Sequence, residues 1–374
     1  MSDTGKGVRE LFEEVIYQGL CTGCGACITG CPYIVAHEGR IILLDKCTVV
    51  EGECYKHCPR TYTDMDVVSK KIFGVPFSDE ELGVALDVYM ARTKDSEIGE
   101  RGQDGGTVTT LLALALQEGM VDLVVCTKMD EDKVPRGYLA RSREELLQCA
   151  GTCYEASFTL EGYRSIPKDS AEKMGVVGLG CQLEALTKIR QYPPEKNANP
   201  DNITLTVGLF CGWALSPHVF HPYLKGHYDL AQVVKFDIPH TPHYSFDVHT
   251  KSGIQSVSLD EIRPYINPAC QYCWDMTAEF SDVSLGSAGS AFPGWNTAVV
   301  RTRMGADLME LAKRKGILET QALPDQRLAH LKSIALKRKK TALENIVERT
   351  GDKNDLLYVG NLPRGMAERL LETG

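Results

Sequence analysis

The sequence lacks a long apolar run. No stretch of its 374 residues approaches the roughly 18 consecutive apolar residues that a membrane-spanning helix requires. The N-terminal segment MSDTGKGVRELFEE also lacks the apolar core of an export signal. We therefore expect a cytoplasmic protein without a membrane span.

Positive charge is scarce as well. The 41 Lys and Arg residues stand against 50 Asp and Glu residues, which gives a formal net charge of −9. A nucleic-acid partner requires a basic contact surface, so none is expected. The one basic run, KRKK at residues 337–340, is interpreted first as a solvated helix face and second as a docking patch.

Cysteine is abundant instead, with 14 residues. In a chain of this size without an export signal, metal or redox use is a better interpretation than disulfide bonds. Seven of the cysteines lie within the first 60 residues, a unit so small that it needs a metal to stabilise it. We predict an iron–sulfur domain at 1–60, a connector at 61–85, a larger domain at 86–320 and a C-terminal helical extension at 321–374.

Residue patterns in the larger domain predict an α/β or α+β fold with a mixed sheet. Apolar runs predict strands at 88–91, 123–126, 175–177, 203–210 and 297–301, the last of them the final strand. Helical periodicity predicts helices at 107–118, 183–190, 306–315 and 325–349. Alternating residues in 231–262 predict a small antiparallel sheet.

The N-terminal cysteines follow ferredoxin spacing. Cys21-x2-Cys24-x2-Cys27-x3-Cys31-Pro32 is the run with which bacterial ferredoxins bind [4Fe–4S] clusters, and its glycines permit the positive φ angles that the loop needs. The fourth cysteine of such a run binds the other cluster, and a second run, Cys47-x6-Cys54-x3-Cys58-Pro59, follows. A zinc site is the weaker alternative.

Two ligand sets follow from this spacing. The first N-terminal set is complete and consists of Cys21, Cys24, Cys27 and Cys58. The second N-terminal set has only Cys31, Cys47 and Cys54, because the second run lacks one cysteine near Val50. Its cluster is therefore [3Fe–4S], has an oxygen or water ligand, or is absent.

The second half of the chain offers four more cysteines. Cys181 and Cys211 each follow a predicted strand, and Cys270-x2-Cys273 forms a pair. We predict that this strand-end set, Cys181, Cys211, Cys270 and Cys273, binds a third cluster, with buried free thiols as the alternative. Cys126, Cys149 and Cys153 have no spacing partners, and Cys126 is expected in the core.

A glycine loop, RGQDGGTVTT at residues 101–110, precedes the predicted helix at 107–118. Backbone N–H groups and the helix dipole at such a position can bind phosphate. The loop matches neither G-x-G-x-x-G nor a P-loop, so a plain tight turn is equally compatible with it.

These motifs together resemble the family of beta subunits of F420-reducing hydrogenases (the FrhB family), over most of residues 20–340. GQDGGTVTTLLALALQEGMVD resembles the family's flavin loop, and VGLGCQ, GLFC and CQYCWDMTAEFSDVSLG resemble its cluster motifs. Relatives with the ferredoxin-like segment include beta subunits of F420-dependent formate dehydrogenases and input subunits of F420H2 dehydrogenases. The resemblance implies an FrhB-like domain with one FAD, a [4Fe–4S] cluster beside it and two-electron exchange with a deazaflavin.

The resemblance also implies which residues contact the flavin. They are the loop and helix-start residues Arg101, Gln103, Gly105, Gly106, Thr107 and Thr109, with Thr127, Lys128, Tyr154 and Ser157 nearby. Many relatives have Gly-Ser-Lys-Tyr near the flavin, where this chain has Gly151-Thr152-Cys153-Tyr154. The proline that often precedes the cysteine of VGLGCQ in relatives is also absent here.

The leading hypothesis is an iron–sulfur flavoprotein oxidoreductase subunit. It passes electrons between a reduced coenzyme, F420, and partner subunits of a larger complex through FAD and [4Fe–4S] clusters. The alternatives are a ferredoxin-dependent reductase of a small organic substrate and an electron-relay adaptor. No acid–base catalytic residue is assigned.

Overall fold

The computed structural model describes residues 5–240, 242–360 and 368–371. The N-terminal part is built from short elements, as expected of a segment rich in glycine and proline. In order they are α1 (Val8–Leu11), which continues as a π-helical turn (Phe12–Ile16), α2 (Ala26–Thr29), β1 (Ile34–His37), β2 (Arg40–Leu43), α3 (Glu53–Lys56), β3 (Thr63–Asp64) and α4 (Met65–Phe73). The segment 61–85, for which a connector was predicted, thus carries β3 and α4. Asp64 caps α4, because its side chain accepts a hydrogen bond from Val67 N.

The larger part begins with β4 and alternates strands with helices. Its first half consists of β4 (Asp87–Thr93), α5 (Ser96–Arg101), α6 (Thr107–Gln117), β5 (Leu123–Met129), β6 (Pro135–Ala140), α7 (Arg143–Gln148), α8 (Glu161–Arg164), β7 (Met174–Leu179), α9 (Gly180–Gln191) and β8 (Ile203–Leu209). Its second half consists of α10 (Pro217–His227), β9 (Val233–Asp237), β10 (Ser245–Thr250), β11 (Gly253–Ser258), α11 (Leu259–Ile262), β12 (Val283–Ser287), β13 (Asn296–Val300), α12 (Arg303–Arg314), β14 (Leu318–Ala322), α13 (Asp325–Thr350) and β15 (Val359–Gly360).

An eight-stranded mixed sheet organises this part, with the strand order β14-β4-β13-β12-β8-β7-β5-β6. The pairs β12–β8, β8–β7 and β7–β5 are parallel, and the remaining pairs are antiparallel. Strands β7 and β8 are buried almost throughout, which their apolar sequences MGVVGL and ITLTVGL allow. The predicted mixed sheet is confirmed, as is the antiparallel sheet β11-β10-β9. The prediction of 297–301 as the final strand was wrong, because β14 and β15 follow it.

Helices cover both faces of the sheet. On one face α6, α7 and α12 contribute Leu111, Leu146 and Leu308 to the main core cluster. On the other face α9 packs through Leu183 and Leu186, and Cys24 and Ala26 of the N-terminal part belong to this same cluster. The cysteine-rich segment is therefore held against the sheet through α9.

The last strand of the described chain packs against the N-terminal part. β15 pairs in parallel with β3, so residues near the C-terminus close onto the segment that follows the second cysteine run. Tyr358 is buried there, and its hydroxyl donates to the carbonyl of Tyr272 at 2.7 Å. Residues near position 360 thereby form part of the surroundings of the N-terminal cysteines.

Candidate redox centre

Five strands of the large sheet end at the same edge. Strands β5, β7, β8 and β12 run in one direction, and β4 shares it because β13 is antiparallel to both β12 and β4. Crevices at the carboxyl edge of such sheets are the usual ligand sites. The glycine loop follows β4 by way of α5, Cys181 follows β7, and Cys211 follows β8. The predicted flavin and cluster residues therefore lie at one edge.

The structure brings the strand-end set together. The pKa of Cys211 is raised mainly by burial, and the neighbouring thiols of Cys270 and Cys273 raise it further. The pKa of Cys181 is likewise raised by burial and then by Cys273. Because these effects act only over short distances, the four thiols are neighbours.

Backbone contacts hold the loop that carries Cys270 and Cys273. Arg338 of α13 donates from Nε to the carbonyl of Cys273 at 2.7 Å and from Nη2 to the carbonyl of Cys270. Asn345 donates to the carbonyl of Gln271 at 2.8 Å. The interpretation of the KRKK run as a solvated face was therefore wrong for Arg338, and equally for Lys339, which is 2% exposed.

Most of the first N-terminal set is buried, since Cys24, Cys27 and Cys58 are buried and Cys21 is half-buried. Burial raises the pKa of the Cys21 and Cys58 thiols to about 11 and of Cys24 to about 12, and neighbouring cysteines add to each rise. Gly23 and Gly25 have φ values of 72° and 87°, as the expected loop geometry requires. A Cβ at Gly25 would lie 2.9 Å from the carbonyl oxygen of Phe158, so this position also needs a glycine for space.

The second N-terminal set is more open. Cys54 is buried, whereas Cys31 and Cys47 are half-buried. The pKa of the Cys54 thiol is raised to about 12 by burial and by Cys31 and Cys47, so these three thiols are also neighbours. Val50, where the spacing lacks a cysteine, is 70% exposed.

The three cysteine sets form a row. Cys54 of the second N-terminal set raises the pKa of Cys27 of the first set, after burial and closer thiols. Cys24 of the first set raises the pKa of Cys181 of the strand-end set in the same way. Adjacent sets are therefore neighbours, with the first N-terminal set in the middle.

The donor chemistry suits iron–sulfur clusters better than a single ion. Among the described residues, no three His, Cys, Asp or Glu side chains form a group that could hold one metal ion. In a cluster each thiolate binds its own iron, so the ligands do not converge on one point. Moreover, the buried guanidinium of Arg60 lies beside these thiols, and none of its three nitrogens has a hydrogen-bond partner in the described chain. Anionic clusters would supply the missing negative charge.

The glycine loop is shaped by close backbone packing. A Cβ at Gly105 would lie 2.7 Å from Asn296 Oδ1 and 2.9 Å from the carbonyl oxygen of Ala91, and Gly106 has a φ of 65°. Both groups of Thr107 are used within the fold, since its N–H donates to Asn296 Oδ1 and its hydroxyl donates to the carbonyl of Ala91. Thr107 thus positions the loop, whereas Thr109 is half-buried and Arg101 is exposed beside Glu97.

The small antiparallel sheet reaches over this loop. Gln103 donates to Asp237 at the end of β9, and His240 Nε2 lies 2.9 Å from Asp104 Oδ1. Burial raises the pKa of Asp104, and the contact with His240 opposes the rise. The residues Asp104, Asp237, His240 and Asn296 were not predicted, because their partners are more than 100 positions away in the sequence.

A cluster of hydroxyl groups lies beside the residue that follows Cys181. Thr127 Oγ1 lies 3.1 Å from Ser157 Oγ and 2.6 Å from Thr159 Oγ1. Gln182, the residue after Cys181, donates to the carbonyl of Ser157 at 2.9 Å and to Thr159 Oγ1 at 2.8 Å. Two predicted flavin residues are thereby connected to the residue beside a predicted cluster ligand.

The remaining two predicted residues lie at the sides of this region. Lys128 Nζ donates to Gln148 Oε1 at 2.7 Å and lies 4.7 Å from the centre of the Tyr138 ring. The hydroxyl of Tyr154 accepts a hydrogen bond from the N–H of Ile238 at 2.9 Å, and the Tyr154 ring contacts Phe246. Tyr154 therefore packs against the small antiparallel sheet.

Comparison with known proteins identifies the family. The models for the N-terminal and C-terminal parts of the coenzyme F420 hydrogenase/dehydrogenase beta subunit match residues 88–162 and 171–326. The coenzyme F420 hydrogenase subunit beta of Methanosarcina barkeri is 33% identical over 66% of this chain and 85% of its own length. The chain belongs to this family of beta subunits. Their fold is confirmed by the F420-reducing [NiFe] hydrogenase complex of M. barkeri, one chain of which matches at a TM-score of 0.66 and 29% identity, over 73% of this chain and 96% of that chain.

Other relatives match more of the chain. One component of the F(420)H(2) dehydrogenase of Methanosarcina mazei is 26% identical over 88% of this chain and 92% of its own length. The coenzyme F420-dependent sulfite reductase of Methanocaldococcus jannaschii is 29% identical over 89% of this chain, which spans about half of that relative. These relatives are oxidoreductases, so the predicted enzyme class is confirmed. Across the described ranges, no helix has both the length and the apolarity to cross a membrane.

Proposed function

We propose that this member of the family binds FAD at the glycine loop and iron–sulfur clusters at the three cysteine sets. In this proposal it exchanges electrons between reduced coenzyme F420 and partner subunits of a larger complex. The named relatives that act on F420 support the choice of coenzyme. The observation that carries the proposal is the contact of Gln182 with the hydroxyl cluster, because it connects the predicted flavin residues to the row of cysteine sets.

The residues suit their proposed roles. A flavin takes up a hydride and releases electrons singly, whereas an iron–sulfur cluster carries one electron at a time. The helix α6 presents its N-terminus at the carboxyl edge, where a flavin phosphate would be favoured. Gln182 orients the hydroxyls of Ser157 and Thr159, and the burial of Cys24, Cys27 and Cys58 limits the access of water to the first N-terminal set.

Activity with three electron donors tests this proposal. The purified, anaerobically reconstituted chain should reduce a one-electron dye with reduced F420 far faster than with NADH or reduced ferredoxin. A preference for reduced ferredoxin would instead indicate the reductase of a small organic substrate. Flavin and iron that are present without turnover by any donor would indicate a relay adaptor.

One observation favours the second candidate. A cavity of about 1070 Å³ lies beside the N-terminal part and is lined mostly by apolar residues, with Cys21 and Cys47 at its wall. A small organic substrate seated there would lie beside both N-terminal cysteine sets. Reduction of such a substrate by reduced ferredoxin, with no response to F420, would establish this candidate.

Substitution of Gly105 by alanine should weaken FAD binding by about 5- to 150-fold. The new Cβ would lie 2.7 Å from Asn296 Oδ1, so the loop must shift, at a cost of about 1–3 kcal/mol. Flavin released per chain after dialysis measures the effect. Gly99→Ala in α5 is the matched control, because its Cβ would meet only Thr93 Cγ2 at 3.6 Å. Equal flavin content in both variants would contradict the assignment of this loop.

Substitution of Val50 by cysteine should complete the second N-terminal set. The exposed position tolerates the change, and a fourth thiolate should convert a three-iron EPR signal into a four-iron signal after anaerobic reconstitution. Val49→Cys, at a position 58% exposed, is the control and should leave the three-iron signal unchanged. Two four-iron clusters already present in the unmodified N-terminal segment would show that the ligand assignment is wrong.

A further inference from the structure

Arg60 is a buried cation without a hydrogen-bonding partner. It follows Cys58-Pro59, is 4% exposed, and its guanidinium lies 4.2 Å from the centre of the Tyr358 ring. Within the described ranges, no acceptor lies in hydrogen-bonding geometry to its Nε, Nη1 or Nη2. Removal of an unpaired charge from water is unfavourable, and one aromatic ring recovers only a part of this cost. Among the described residues, Arg60 therefore has no hydrogen-bonded counter-ion.

The surroundings of Arg60 are two sets of thiols. The positive charge of Arg60 lowers the pKa of Cys21, Cys24 and Cys58 in the first N-terminal set. It also lowers the pKa of Cys181 and Cys270 in the strand-end set, and Cys273 in turn raises the pKa of Arg60. Geometry agrees, because the N–H of Arg60 donates to Cys58 Sγ at 3.4 Å, and Tyr358, whose ring the guanidinium contacts, donates to the carbonyl of Tyr272 in the loop of Cys270 and Cys273. Arg60 thus lies close to both sets.

The nearby carboxyl group supplies only a part of the counter-charge, since Glu184 is one of several groups that raise the pKa of Arg60. Burial disfavours the charged form of Glu184 and raises its pKa to about 8, although Arg60 and Lys188 oppose the rise. Glu184 Oε1 also has no partner among the described residues. Lys188 adds a further positive charge and donates to Thr61 and Tyr62.

We propose that Arg60 is the shared counter-ion of two iron–sulfur clusters, one on the first N-terminal set and one on the strand-end set, and that it raises the reduction potential of both. The inference rests on the proposed function for the clusters themselves. A cluster with four thiolate ligands is anionic and gains a further negative charge on reduction, so a fixed cation favours its reduced form. Arg60 thus acts on electron transfer indirectly, because its positive charge makes both clusters easier to reduce.

EPR-monitored redox titration of the reconstituted full chain tests this. Arg60→Met keeps an unbranched, flexible side chain and removes the charge, so both cluster potentials should become more negative while the iron content stays unchanged. Arg60→Lys keeps the charge and should stay closer to the unmodified protein. Arg263→Met is the matched control, because it removes an exposed cation that lies 4.9 Å from the Tyr244 ring. This control should leave both potentials unchanged.

The outcomes separate the inference from the proposed function. If the unmodified protein shows no cluster signals, both the proposed function and this inference are overturned. That result is available before any variant is made. Clusters that are present with potentials unaffected by Arg60→Met, or with only one of the two shifted, would overturn the shared counter-ion alone. If Arg60→Met loses iron, Arg60→Lys decides whether the charge matters. Iron retained in Arg60→Lys, with potentials near those of the unmodified protein, supports a role of the charge. Iron lost from Arg60→Lys as well refutes that role.

Discussion

Replacement of Cys211 by serine should remove or alter one cluster, with a loss of up to about four iron atoms per chain. Cys211 follows β8 and is surrounded by the other thiols of the strand-end set. This set is the one connected through Gln182 to the predicted flavin residues, so its loss interrupts the route at its first step. Electron transfer from the flavin side to a partner should fall at least about 100-fold, because loss of a ligand exceeds the usual effect of outer-shell changes.

Iron analysis and EPR spectra of the reconstituted variant measure this effect. Cys149→Ser is the control, since Cys149 is half-buried and lies outside all three sets, with its sulfur 3.6 Å from that of Cys126. The control should keep its full iron content. An unchanged spectrum in Cys211→Ser would show that the strand-end set binds no cluster.

Replacement of Lys339 by methionine should lower the free energy of unfolding by about 3–5 kcal/mol. Lys339 Nζ lies 2.7 Å from Glu279 Oε1, and both side chains are almost fully buried. Without Lys339, the Glu279 carboxylate has no cation at this distance and its burial costs free energy. Urea denaturation of the variant and the unmodified chain, under the same anaerobic conditions, measures the difference.

The effect should depend on pH with a definite sign. Burial raises the pKa of Glu279 from 4.5 to about 7, while Lys339 lowers it. The folded chain thus holds this proton more tightly than the unfolded chain, so stability falls as the pH rises from 4.5 to 7. Removal of Lys339 raises the pKa further, so the loss should be larger at pH 8 than at pH 6.

Lys332→Met on the same helix provides the comparison. Its ion pair with Glu81 is 3.4 Å long and exposed, so its loss should cost no more than about 1 kcal/mol. Adding Glu279→Gln to Lys339→Met should recover part of the lost stability, since it removes the unpaired charge. Equal destabilisation by Lys332→Met and Lys339→Met would contradict this account.

The cysteine spacing was informative because ligand geometry is partly local. Cys21, Cys24 and Cys27 lie in one tight loop, so their proximity follows from the sequence itself. Grouping the strand-end set required one further rule, that parallel strands end at a common edge, and apolar strands such as β7 and β8 are easily recognised. The predicted bounds of most strands and helices agree with the observed bounds to within a few residues.

Long-range polar contacts could not be predicted in this way. The KRKK run looks solvated because its partners, Glu279 and the carbonyls of Cys270 and Cys273, lie about 60 to 70 positions earlier. The hydroxyl of Thr107 donates to the carbonyl of Ala91 in β4, a contact that the pattern of the glycine loop does not reveal. The role of Arg60 depends on burial between elements from three parts of the chain, which no local pattern records.

Helix α13 also restricts how this protein can change in length. Its 26 residues span about 39 Å, and successive turns contact Glu279, the carbonyls of residues 270, 271 and 273, and the carbonyl of Gln18 through Arg349. One inserted residue would rotate everything beyond it by about 100°. An insertion before position 338 would thus misplace several contacts at once, whereas the β10–β11 turn, where a Cβ added at Gly253 would meet no atom within 4 Å, offers free space. Natural variation in length should therefore accumulate in that turn and spare the helix.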